Sequence, residues 1–75
     1  MTFSSRLTDD LIRIAAAGGG LRLDASARMT DDLVRIAAAA RTGSAILTLR
    51  GMSARMTDDL IRIAAAGKGS VILED

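Results

Sequence analysis

The stretch Thr8-Asp9-Asp10-Leu11-Ile12-Arg13-Ile14-Ala15-Ala16-Ala17-Gly18 recurs unchanged from Thr57 to Gly67. A third version, from Thr30 to Ala40, differs only by Val34 for Ile and Ala40 for Gly. Each copy follows a Ser-(Ser/Ala)-Arg-(Leu/Met) lead that begins at Ser4, Ser26 or Ser53. Each is followed by a glycine-containing turn and a short aliphatic run, at 21–24, 45–50 and 71–74. The copies start at Thr8, Thr30 and Thr57, so the periods are 22 and 27 residues. Self-similarity at such periods marks supersecondary units that stack on one another. The chain divides into units at approximately 4–25, 26–52 and 53–75, within a single domain spanning 1–75.

The repeated block reads as a helix. Thr8, Thr30 and Thr57 stand where N-cap hydroxyls would accept from a first-turn N–H. Leu7, Met29 and Met56 then fall at N′, and Ile12, Val34 and Ile61 at N4, the spacing of a hydrophobic staple. Paired Asp residues oppose the positive end of the helix dipole, and the alanine run has the highest helix propensity available. Gly18, Gly43 and Gly67 are placed to end the helices with a left-handed residue. Asp9/Arg13, Asp31/Arg35 and Asp58/Arg62 have the acid-before-base i,i+4 spacing of ion pairs on one helix. Leu7, Leu11, Ile14, Ala15 and Gly18 form the apolar stripe, with Ile12 and Ala16 on its flank.

The segments between helices alternate as half-buried strands do. Leu21 and Leu23 oppose Arg22 and Asp24. Ala45, Leu47 and Leu49 oppose Ile46, Thr48 and Arg50, and Val71 and Leu73 oppose Ile72 and Glu74. One apolar face per strand places the helices on one side of the sheet. The order αβαβαβ requires parallel strands joined by right-handed helical crossovers. The expected fold is therefore α/β: three α-β repeats, a parallel three-stranded sheet with helices on one face, and a solenoid-like form.

Leu21-Arg22-Leu23-Asp24 followed by Met29-Thr30-Asp31-Asp32-Leu33 resembles a leucine-rich repeat of the helix-bearing kind. Leu47-Thr48-Leu49-Arg50 followed by Met56 to Leu60 repeats the resemblance. The family's Asn or Cys after the strand, which ties adjacent turns together, is absent; Ala25–Ser26 and Gly51–Ser53 occupy that region. The resemblance implies protein–protein binding through the strand face rather than catalysis.

Composition narrows the chemistry. The 75 residues include no Cys, His, Trp, Tyr or Pro, one Phe and one Lys, and the formal net charge is +1. Without Cys there is neither a disulfide nor a thiolate metal site, and without His the usual general base is missing. Ser4, Ser26 and Ser53 lack an activating partner, so no catalytic residue is assigned and the chain is not read as an enzyme. Gly18-Gly19-Gly20 and Gly67-Lys68-Gly69 follow helices and lead into strands, the reverse of a phosphate loop. The Asp pairs are accounted for by helix N-termini, so no metal or other cofactor is assigned. No apolar run approaches the length of a membrane span. The first ten residues hold no signal-peptide core, which makes the cytoplasm the expected location. Abundant Arg and Ala hint at a bacterial source.

Two surfaces remain as candidates. Arg6, Arg28 and Arg55 recur before each helix and would form a ladder able to contact anions. The near-neutral charge leaves nucleic-acid or phospholigand binding as the alternative reading. The first reading is association. In a three-unit stack only the middle unit has both flanks covered. Unit 1 leaves a flank around Ile12 and Ala16 or around Ile14 and Ala17. Unit 3 leaves the opposite one, around Ile61 and Ala65 or around Ile63 and Ala66. Val71, Ile72 and Leu73 would form an open strand edge without a Pro or Lys to blunt it. These residues make a homodimer the expected state, with another protein as a further possible partner and no membrane contact.

Overall fold

The alanine-rich blocks form helices α1 (Thr8–Ala16), α2 (Thr30–Thr42) and α3 (Thr57–Gly67). Between and after them run strands β1 (Leu21–Asp24), β2 (Leu47–Arg50) and β3 (Val71–Leu73). This architecture is that of a computed structural model, which describes residues 7–26 and 28–75. Phe3, Ser4 and Arg6 lie outside the described residues.

The sheet is parallel throughout, in the order β1-β2-β3. Leu21 is in register with Leu47, and Leu47 with Val71; Leu23 is in register with Leu49, and Leu49 with Leu73. The leucine face meets the helices. Leu21, Leu23, Leu47 and Leu49 join Leu11, Leu33, Ile36 and Ile63 in one buried cluster. Arg22, Asp24 and Arg50 lie exposed on the other face, as the alternation expected. Met52 and Ala25, at matching places after β2 and β1, complete the floor of the core.

The helix starts differ from the expected capping. Leu7, Met29 and Met56 are themselves the N-caps, with extended backbone and no side-chain cap bond. Thr8, Thr30 and Thr57 are therefore the first helical residues, and the Asp pairs still occupy the first turn. The staple does not form: Leu7, Met29 and Met56 are exposed, at 73%, 69% and 71%. Moving the cap back one residue breaks the N′–N4 spacing on which a staple depends.

The helix ends also divide. Gly18 has φ +99° and ends α1 as expected. After α2 and α3 the left-handed residue is one position later, at Ser44 (φ 56°) and Lys68 (φ 43°). Gly43 is instead needed for a close approach, since a Cβ there would overlap the carbonyl oxygens of Ala15 and Ala16 at the end of α1. Gly67 is buried, and a Cβ there would run into the Val71 side chain. Small size, not backbone freedom, is what these two places require.

Candidate functional site

The arginines ahead of α2 and α3 reach back to the preceding unit. Arg28 Nη1 donates to Thr8 Oγ1 at 2.9 Å, and Arg55 Nη1 donates to Thr30 Oγ1 at 2.8 Å. Arg55 Nη2 also donates to the Ala25 carbonyl at 2.7 Å and to the Arg28 carbonyl. One planar fork thus joins a side chain and two backbone acceptors across the junction between units. Of the three arginines assigned to anion contacts, Arg28 and Arg55 are half-buried and donate to protein acceptors, and Arg6 lies outside the described residues.

The arginines within α2 and α3 cross too. Arg35 Nη2 lies 3.3 Å from Asp9 Oδ1, and Arg62 Nη2 lies 2.7 Å from Asp31 Oδ1. Their same-helix contacts are longer and are i,i+3: Arg35 to Asp32 at 3.8 Å and Arg62 to Asp59 at 4.0 Å. This corrects the expected i,i+4 pairs. With helices side by side, an Asp on the forward flank of one lies nearer the next helix's arginine than its own.

These contacts orient every unit. The flank holding Arg62 and Ile63 faces α2, and the flank holding Asp31 and Val34 faces α3. Ile36 and Ile63, which face backward, are fully buried. Ile63 is accordingly interior and is not an interface residue; the exposed member of its pair is Ile61, at 58%. On α1 the backward flank is Asp10, Arg13, Ile14 and Ala17, which line a shallow open groove. Ile12 faces forward and is partly covered, and Val71 is partly buried against the core. Ile72 (49%) and Leu73 (36%) remain exposed on β3. Among the described residues, neither Arg13 nor Asp58 has an ion pair.

The outer face of the sheet carries a small charge cluster. Glu74 lies 3.7 Å from Arg22 and 4.0 Å from Arg50. Asp24 Oδ1 accepts from the Ser26 backbone N–H at 3.0 Å. That bond first, then the Ser26 hydroxyl and the nearby Arg50, hold the Asp24 carboxyl below its ordinary pKa. Among the described residues no three carboxylates converge on a point that could hold a metal ion. No helix among them is long and apolar enough to cross a membrane.

The inter-unit role of the arginines is absent from the sequence reading, although a signal for it exists. Arg28-Met29-Thr30 and Arg55-Met56-Thr57 repeat at fixed spacing. When units stack, such a repeat brings the arginine of one beside the threonine of the one before. No protein-family model, no curated protein and no solved structure matches the chain.

Proposed function

We propose that the chain is a non-catalytic association module: a short, leucine-rich-repeat-like solenoid that binds copies of itself and offers the same surfaces to a protein partner. The observation that carries this reading is at the β3 end. Ile61 on α3 and Ile72 and Leu73 on β3 are each exposed there, and among the described residues β3 is paired along one edge only. Exposed apolar surface next to an open edge invites pairing with another chain. A short chain with a core of small aliphatic side chains also gains stability from association. The dimer is the smallest form of this assembly. Sedimentation equilibrium over micromolar concentrations tests it, with a mass above 7.8 kDa as the expected result. A cooperative melt from a clean monomer at every concentration would refute it.

A further inference from the structure

Among the described residues, the outer flanks of α1 and α3 carry the two unmatched halves of a junction that the structure makes twice. At each internal junction an Asp on the forward flank meets the next helix's arginine: Asp9 with Arg35, and Asp31 with Arg62. At each, a first-turn Thr accepts from the next unit's leading arginine. At each, two strands pair in parallel. The α3 end presents the forward half with nothing against it among the described residues: Thr57 and Asp58 are exposed, as is Ile61, whose counterparts Ile12 and Val34 are partly covered. The α1 end presents the backward half as the groove of Asp10, Arg13, Ile14 and Ala17.

We infer that the α3–β3 end of one chain docks head to tail on the α1–β1 end of a second copy, in the register by which units follow one another inside the chain. The inference rests on the self-association reading above and specifies its geometry. Residues 8–18 and 57–67 are identical, so both halves of the new junction are surfaces already seen against α2. Asp58 would meet Arg13 of the second copy, and β3 would continue in parallel onto β1. The head-to-tail arrangement is the one that repeats the internal match, an Asp on the forward flank of one helix against the arginine on the backward flank of the next. A two-fold contact does not reproduce that match, because α3 against α3 brings together two flanks that each carry Asp58, and α1 against α1 brings together two flanks that each carry Asp10 and Arg13. A head-to-tail contact leaves a free end after each addition, so assembly does not stop at two unless a ring closes.

Asp58→Arg, Arg13→Asp and an equal mixture of the two provide the test, with mass measured by light scattering across concentration. Both positions are exposed, and circular dichroism melts verify that each variant folds. The wild-type chain is expected to grow past the dimer as concentration rises. Each variant alone should need about tenfold more protein to associate. The mixture should recover assembly, because each variant keeps one native half of the junction. Native Asp58 on one variant then meets native Arg13 on the other, and at the alternate junction the two introduced residues meet with their charges exchanged. A wild-type monomer at all concentrations overturns self-association itself. Wild-type association that neither variant weakens, or that the mixture does not restore, overturns the head-to-tail geometry alone. Association seen only after Phe3→Ser assigns the α1 groove to the N-terminal segment and overturns it as well.

Discussion

Arg55 donates to Thr30 Oγ1 at 2.8 Å from the following unit, and the same guanidinium reaches the Ala25 carbonyl at 2.7 Å. The threonine that resembles a helix cap is thus an acceptor for a link between units. Its hydroxyl orients a charged side chain that also satisfies backbone carbonyls in the turn below. Hydrogen bonds to charged groups are stronger than neutral ones, and an acceptor left buried without a donor is costly.

Removing this link should destabilise the chain in a coupled way. Arg55→Lys retains the charge but loses the fork, and we expect it to cost about 1–3 kcal/mol. Thr30→Ala should cost less, and Thr30→Ser should restore most of the loss. In a double-mutant cycle the Arg55→Lys and Thr30→Ala effects should fall short of additivity. Strict additivity in urea titrations would place Thr30 outside the link.

Gly43 sits where the end of α2 meets the end of α1. A methyl group there overlaps the Ala15 carbonyl oxygen and comes within 2.7 Å of the Ala16 carbonyl oxygen. Both are backbone atoms, so relief requires the two helices to separate. Gly43→Ala should therefore destabilise by about 1–3 kcal/mol, despite the higher helix propensity of alanine. A gain in stability would mean that the helix ends do not approach this closely in solution.

The layout of this fold is legible in the sequence because period and alternation are local signals. Three blocks of helical spacing and three alternating runs are enough to order α1 through β3 and to choose the leucine face of the sheet. The junction chemistry is less legible because it depends on which neighbour is nearer across a gap. Asp9 has the right spacing for Arg13 on its own helix, yet Arg35 on the next helix lies 3.3 Å away. Likewise, the pairs Ile12/Ile14 and Ile61/Ile63 reveal two flanks but not which one faces forward. Only the stacking direction settles that Ile63 is buried and Ile61 exposed. The cap assignment failed for a related reason: a threonine before a helix serves equally as cap or as first residue, and a partner from another unit decides between them.

The two faces of the sheet should respond very differently to truncation. Leu49 is fully buried between the sheet and the helices, and Leu23 is nearly so. Either one changed to Ala should cost about 2–5 kcal/mol, by lost transfer energy and the cavity left behind. Arg22 is exposed, with Glu74 3.7 Å away, and Arg22→Ala should cost no more than about 1 kcal/mol. Comparable losses at Leu23 and Arg22, read from denaturant midpoints, would place the helices on the wrong face.

Asp24 supplies the pH dependence. Its carboxyl is held below the ordinary pKa, first by the Ser26 backbone N–H, then by the Ser26 hydroxyl and the charge of Arg50. A group whose folded pKa is depressed stabilises the native state when ionised, and the unfolded chain takes up its proton first on acidification. The contribution is therefore complete above the ordinary aspartate pKa of about 3.9 and is lost as pH falls through the lower folded value. Asp24→Asn isolates this effect, because the amide oxygen still accepts from the Ser26 N–H while the charge is gone. The melting temperature of the wild-type chain should exceed that of Asp24→Asn by a constant margin near neutral pH. That margin should shrink as acid protonates Asp24, even though other carboxylates lower both melting temperatures together. High salt should reduce the part due to Arg50 and leave the part due to Ser26. A margin that is flat from neutral pH down through acid unfolding would mean that the Asp24 carboxylate makes no specific contribution to the turn.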